Sequence, residues 1–366
     1  MLGGLGLTTG PAQAQGRTFS AEGSDAVQGV GARSLSMGGT GVATATDPFA
    51  IYYNPSLLAD VDQTIVTVNR QIDGTLRPYT FFGVALPVTG LDELGIDVTL
   101  GAARYNRIHA RSTGAYREDE PESIFLRYLL PGVSGTFSGK IDSKTLVNRL
   151  AVGIRMHDIP RLNIGFNADI IDCRTNTCGT HATSNGYETQ SLHATAFSYG
   201  VSATYHLTDQ ITFGAAYTDI DTELKVQRLI TDNAGTRNET FTSPFVRKFA
   251  AEASYRTNDK WLFAFGGKRE WGDYGGYSLD FITLHGGVEY NLNDTFTLRA
   301  GAWSIYRLQT SQGNDLSLPV PLVPTAGAGW TLGNFSADVA LYAHPLMTLH
   351  NNFPKPSGDL TLSYRF

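Results

Sequence analysis

The chain is built from short segments in which apolar residues recur at every second position, joined by connections that alternate between tight and long. A period of two is the mark of a strand with one apolar face. At the C-terminus, in GDLTLSYRF, Leu360, Leu362, Tyr364 and Phe366 share one face; Thr361, Ser363 and Arg365 share the other. Upstream, Phe335, Ala337, Val339 and Leu341 oppose Ser336, Asp338 and Tyr342. Leu162, Ile164, Phe166, Ala168 and Ile170 oppose Asn163, Gly165, Asn167 and Asp169, and Ile282, Leu284, Val288 and Tyr290 oppose Thr283, His285 and Glu289. Each segment is about ten residues long, enough for one tilted crossing of a bilayer.

The tight connections are 157–161, 207–210, 257–260, 292–295 and 332–334, with 88–95 intermediate in length. The long ones are 108–146, 173–189, 225–244, 269–279, 309–321 and 344–357. This rhythm predicts an all-β fold: a transmembrane antiparallel up-and-down barrel of about 14 strands, with tight turns on one rim and long loops on the other. A soluble sandwich or propeller also alternates apolar and polar residues, but has no reason to lengthen every second loop. Tyr205, Trp261, Tyr290, Phe296, Trp330 and Phe335 flank the tight turns, where an interfacial aromatic girdle belongs.

Composition closes off other classes. No stretch approaches 18 consecutive apolar residues, so a helical membrane span is excluded. Net charge is −6 and no basic run exceeds two residues, which argues against nucleic acid as a partner. No G-x-S-x-G, H-E-x-x-H or P-loop is present and the eight histidines are scattered, so we expect no enzyme, no cofactor and no metal site. Cys173 and Cys178, in the polar stretch DCRTNTCGT, read as a small disulfide loop of an oxidising compartment; the alternative is two unrelated thiols.

The residues ahead of the first strand need a different account. Residues 1–14, ending in Ala12-Gln13-Ala14, read as a residual export signal, 15–62 as a plug and 63–366 as the barrel. The plug holds GARSLSMGGTGVATATDPFAIYYNPSLLADV, residues 31–61. Asp47-Pro48 predicts a helix start, and the helix through Ile51-Tyr52-Tyr53 should stop before Pro55. Ser56-Leu57-Leu58-Ala59 suits a second short turn. A 14-stranded lumen is too wide for side chains to fill, so a compact insert would occupy it.

This segment resembles the N-terminal signature of the outer-membrane superfamily that holds the FadL-type long-chain fatty-acid transporters and the PorV/PorQ-type proteins. Gly31-Ala32-Arg33, Met37-Gly38-Gly39, Asp47, Tyr53, Asn54 and Pro55 follow the family's order, with Ser56 where Ala is usual. The resemblance implies a place in the bacterial outer membrane, lipid as a surrounding partner, and a movable N-terminal hatch. The alternating C-terminal strand with Tyr364 and the final Phe366 resembles the signal read by the barrel-assembly machinery. Two functions follow from the resemblance: passive transport of a hydrophobic small molecule past a plug, or a PorV-like component of type IX secretion that binds secreted proteins or the translocon.

Candidate functional residues fall into three groups. Arg33, Met37, Gly38, Gly39, Asp47, Tyr53, Asn54 and Pro55 are the plug and gating set; Lys248, Glu252, His285, Glu289, Arg299 and Asp338 are expected to face the lumen. In the longest loop, SIFLRYLLPGV carries an apolar patch of Phe125, Leu126, Leu129 and Leu130. It suits either a helix folded over the mouth or a landing site for an apolar ligand or a protein partner.

Overall fold

The computed structural model describes residues 18–22, 29–72, 81–116, 137–183, 186–274, 277–310, 322–344 and 355–366. A first strand β1 (Thr18–Glu22) precedes α1 (Ala32–Ser36), α2 (Ala50–Tyr53) and a 3-10 turn at Pro55–Asp60. The strands that follow are β2 (Ile65–Gln71), β3 (Phe81–Val88), β4 (Ile96–Tyr116), β5 (Phe137–Met156), β6 (Leu162–Thr183), β7 (Gly186–His206), β8 (Ile211–Thr218) and β9 (Glu223–Asp232). The chain continues through β10 (Gly235–Pro244), β11 (Arg247–Arg256), β12 (Trp261–Tyr274), β13 (Tyr277–Asn291), β14 (Phe296–Thr310), β15 (Val323–Leu332), β16 (Phe335–Ala343) and β17 (Pro356–Arg365).

Each strand pairs antiparallel with its neighbours, and β17 pairs with β2, so the sheet closes into a barrel without a free edge. Taking β8 with β9, and β10 with β11, as two interrupted staves, the wall has fourteen. Both ends of the wall meet at the tight-turn rim, where the Phe366 N–H donates to Thr64 O at 2.9 Å. The interruptions lie side by side. Asp219 and Asp221 take φ values of 58° and 45° between β8 and β9, and the β7 ladder passes from Val201↔Tyr217 to Thr195↔Lys225.

The two surfaces of the wall are of opposite kind. Outside, Phe166, Ile170, Phe197, Phe213, Phe263, Phe265 and Leu298 are exposed. Inside lie buried Asn167, Asp169, Glu252, His285 and Glu289. An exposed apolar exterior around a polar interior is the surface of a transmembrane barrel, the arrangement of bacterial outer-membrane proteins. Trp261 packs on Tyr290 with ring centroids 4.4 Å apart, and Trp330 on Phe335 at 6.0 Å, in the girdle beside the tight turns.

Two expectations need correction. Much of 108–146, 173–189 and 225–244 is strand rather than loop: β4 runs on to Tyr116, β6 to Thr183, and β9–β10 is a paired hairpin. Beyond the bilayer neither face of a strand meets lipid, so the apolar alternation fades while backbone pairing continues. The disulfide is also absent: Cys173 is a free, buried thiol. It sits on the same extended strand as Cys178, paired with Thr145 while Cys178 pairs with Lys140. Five residues of strand put the two Cα atoms ~16 Å apart, whereas a disulfide needs less than ~7 Å. The apolar patch at Phe125, Leu126, Leu129 and Leu130, and residues 1–14, lie outside the described residues.

Candidate functional site: the lumenal segment and its anchors

Residues 29–61 touch strands on opposite sides of the closed wall, which places them inside it. The Ala32 N–H reaches Thr361 on β17 at 2.9 Å, Gly38 N–H reaches Thr325 on β15 at 3.0 Å, and Asn54 reaches Thr204 on β7 at 2.9 Å. Phe49 packs on Phe81 of β3 with centroids 4.5 Å apart. The segment is almost wholly buried from Gly29 to Ala59.

Local sequence explains its path. Asp47 Oδ1 accepts from Phe49 N–H at 2.9 Å, turning the chain into α2 just after Pro48. The helix then stops at Asn54, as Pro55 requires. Asn54 Oδ1 caps the 3-10 turn by accepting from the Ser56 N–H at 3.1 Å and from its hydroxyl at 2.6 Å. Its amide Nδ2 donates to Val42 O at 2.6 Å and to Thr204 Oγ1 at 2.9 Å, so one buried side chain ties two parts of the segment together and to the wall. Helix α1, which the sequence did not announce, ends where Gly38 and Gly39 adopt φ of 76° and 90°. A side chain at Gly38 would also run into the Ala302 carbonyl of β14.

Three charged anchors hold the segment. Arg33 meets Glu289 on β13 through two N–H groups, Nε at 2.8 Å and Nη2 at 3.1 Å. Glu289 also accepts from Arg299 at 2.7 Å, and Arg299 donates to Asp338 at 2.6 Å, giving an alternating chain of charge along the inner wall. Burial disfavours the charged form of Arg33, but the facing Glu289 outweighs it and holds the guanidinium more firmly charged than usual.

The second anchor is Glu252 on β11. Its carboxylate accepts from the backbone N–H groups of Gly41, Val42 and Ala43 at 2.8, 3.2 and 3.0 Å, and from the Thr44 hydroxyl at 3.1 Å. Successive N–H groups curled around an anion make a nest, so a strand carboxylate is held by the backbone of the insert. The wall admits this close approach because Gly214 faces it: a Cβ there would overlap the Val42 carbonyl oxygen.

Sequence reasoning missed the third. Arg149 on β5 forms a two-pronged pair with Asp169 on β6, at 2.7 and 2.6 Å, and donates from Nη1 to Tyr52 O at 3.1 Å and Ile51 O at 3.3 Å. It thereby satisfies carbonyls at the end of α2. Nearer the rim, Asp60 pairs with Arg155, accepts from Asn163 at 2.9 Å and lies 3.3 Å from His206. Burial works to raise the Asp60 carboxyl, but His206, Asn163 and Arg155 outweigh it and hold it below its ordinary range. Asp47 is displaced the other way, upward, because burial outweighs Arg33. The one available signal for Asp169 and Asn163 was their place on the polar face of an otherwise apolar strand.

Of the remaining sequence-selected residues, Met37 is buried with Leu262 and Ala264, its backbone against the inward faces of Gly287 and Gly301. The Tyr53 hydroxyl donates to Val30 O at 2.8 Å and accepts from Val30 N–H at 3.0 Å, and burial raises it above the ordinary phenol range. Between the segment and the wall lies a cavity lined by Val42, Tyr52 and Tyr53 of the segment and by Arg149, Ala216, Thr218, Lys248, Ala250, Lys268 and His285 of the wall. Lys248 stands over the Tyr52 ring at 5.6 Å, and His285 lies 3.8 Å from Glu252. Of the two expected sets, Gly39 and Tyr53 of the plug group and Lys248 and His285 of the lumen group line this cavity, while Glu252, Glu289, Arg299 and Asp338 lie along the inner wall; Tyr364 and Phe366 pack edge-on beside the tight turns, 4.9 Å apart.

This fold has solved counterparts. The Pseudomonas putida toluene transporter TodX superposes with a TM-score of 0.56 at 16% identity, over 93% of this chain and 99% of that one. The fold is that of the FadL-type channels. The Ralstonia pickettii toluene transporter TbuX gives 0.56 at 17% identity, over 93% and 99% of the two chains. A Pseudomonas aeruginosa FadL homologue gives 0.59 at 14%, over 92% and 97%. No family model matches the sequence, and no curated protein does either. At such identities the FadL-type likeness is one of fold, so the chain's own residues must carry the functional argument.

Proposed function

We propose that this protein is a passive outer-membrane channel for hydrophobic small molecules, occluded in this state by residues 29–61. The observation that carries the reading is the pairing of a sealed insert with a cavity beside it, lined by Tyr52, Tyr53, Val42, Ala216 and Ala250 together with Arg149, Lys248, Lys268 and His285. Aromatic and small aliphatic surface suits an apolar solute, and the basic residues in the same lining suit a polar end on such a solute. From Gly31 to Val61 the insert is joined to the wall through hydrogen bonds and ion pairs rather than by strand pairing, so it can shift while the barrel stays closed. The solved neighbours named as toluene transporters support the same reading.

No catalytic constellation enters this proposal, and the secretion-component reading of the N-terminal signature draws no support from those neighbours. The test is uptake by a strain expressing the chain. Accumulation of labelled toluene or of a long-chain fatty acid above the vector control, with no gain for a sugar of similar size, supports a channel for hydrophobic solutes. No gain for any apolar solute would remove it.

A further inference from the structure

The outer wall carries a second feature that the transport reading does not use. On β12 the outward residues run Trp261, Phe263, Phe265, Gly267, Arg269, Trp271. Ten residues separate the two tryptophans; at ~3.3 Å per residue and a tilt of ~40° that is a rise of ~25 Å, the height of the apolar band of a barrel. Trp261 lies in the tight-turn girdle, so Trp271 marks the opposite, outer interface.

At that level the exterior changes abruptly from apolar to charged. Register places Arg269, Ile282 and Arg307 side by side on β12, β13 and β14, and Arg247 of β11 beside Trp271. Below them the outward positions of β11 to β14 are Phe249, Phe263, Phe265, Leu284, Leu298 and small residues, without a charge. Arg269 is held in place by Asp280, at 2.8 and 3.1 Å, and by stacking over Trp271 at 5.0 Å; Trp271 in turn stacks on Tyr217 at 6.0 Å. Arg307 approaches Asp280 at 3.9 Å, and Arg247 donates to Asp221 at 2.8 Å.

The geometry points to a site for a phosphorylated glycolipid of the outer leaflet, of the lipid A type, on the β11–β14 face of the wall. Arg269 and Arg307 share a single carboxylate, Asp280, so the level next to the apolar band is net positive; Asp221, beside Arg247, and Asp273, two positions beyond Trp271 on β12, lie further out. Each guanidinium carries five N–H donors in a planar fork, more than one carboxylate engages, and that fork matches a phosphate. The aromatic and aliphatic residues directly below offer the surface that acyl chains of the same molecule require. Arg269 and Arg307 stand two strand spacings apart, ~10 Å, within reach of one headgroup. The site depends on the transmembrane reading of the barrel but not on what passes through the lumen.

The test uses the purified full chain in detergent and native mass spectrometry, with bisphosphorylated lipid A, its dephosphorylated form and phosphatidylglycerol as probes. Wild type should retain lipid A at least tenfold better than R269Q/R307Q, and should lose that preference with the dephosphorylated probe. An R237Q variant, which removes an exposed arginine from the β9–β10 hairpin, should bind like wild type. If the double variant does not fold, judged by heat-modifiable gel migration, R269K/R307K and the wild-type comparison of the two lipid A forms decide. Equal retention of phosphorylated and dephosphorylated lipid A by wild type would overturn the site, as would preference for phosphatidylglycerol; transport activity bears on neither outcome.

Discussion

Arg33 and Glu289 stand 256 positions apart in the chain and meet inside the barrel in a two-pronged ion pair, at 2.8 and 3.1 Å. One partner belongs to the insert and the other to the wall, so the pair measures how firmly the insert is seated. Replacing Arg33 leaves the buried Glu289 with Arg299 as its one remaining countercharge, so the cost falls below the about 3–5 kcal/mol of a buried charge left wholly uncompensated. We expect Arg33→Gln to leave the barrel closed, with unchanged heat-modifiable migration. It should loosen the insert, seen as faster limited proteolysis within 29–61 and greater sensitivity to small polar antibiotics.

Glu252 tests the same seating through a different chemistry. In Glu252→Gln the charge is lost and an N–H group can turn toward the N–H groups of Gly41, Val42 and Ala43. Hydrogen bonds to a charged group contribute ~1.5–3 kcal/mol each, so the variant should leak at least as much as Arg33→Gln. Permeability equal to wild type in both would mean the insert is held by packing alone.

Steric fit gives a third test. Gly214→Val would place its side chain where the Val42 carbonyl lies. The wall should still form, because β8 carries small and apolar side chains around that position, but the nest should be displaced from Glu252. Protease sensitivity of the insert is the measurement, with Ala251→Val, on the exposed outer face of β11, as the comparison.

Acid should release the rim end of the insert. The Asp60 carboxyl is held below its ordinary value of 3.8, so its carboxylate contributes stability that is fully present above that value. The contribution is lost as pH falls below 3.8 through the depressed value in the fold. Liposomes holding the protein should therefore leak more at pH 3 than at pH 5, and Asp60→Asn should flatten the difference.

The legible part of this architecture was the lower half of each stave. Where one face meets lipid, Leu360, Leu362, Tyr364 and Phe366 must alternate with polar residues, and the same physics exposed the strands at Leu162–Ile170 and Ile282–Tyr290. Above the bilayer that constraint ends, which is why the upper reaches of β4 to β7 read as loops. Glu252 and Glu289 could be recognised as lumenal from the alternation, but their partners could not. Arg33 and Gly41 are brought to them only by the path of the insert through the closed barrel. Arg149 and Asp60 left no comparable trace, because a charge that caps a carbonyl looks the same in sequence as one that faces water. The cysteines misled because close spacing in sequence becomes large separation along an extended strand.

The Asn54-Pro55 corner carries the reading that the insert moves. Asn54→Ala with Pro55→Ala removes the cap on the 3-10 turn and the bonds to Val42 and Thr204 while leaving the strands intact. It should insert normally and change both hydrophobic uptake and polar leak; wild-type values for both would reduce the corner to a static turn.

The most direct measurement pins the insert to the wall. The hydroxyls of Ser56 and Thr204 lie 2.7 Å apart, so cysteines at both positions, in a C173S/C178S background, should bridge on oxidation. Uptake of labelled toluene and of a long-chain fatty acid would be followed in cells before and after a reductant. A gated channel predicts at least a tenfold loss in the oxidised state with recovery on reduction. Undiminished uptake through a fully bridged barrel would contradict it, because the solute would then cross without any movement of residues 29–61.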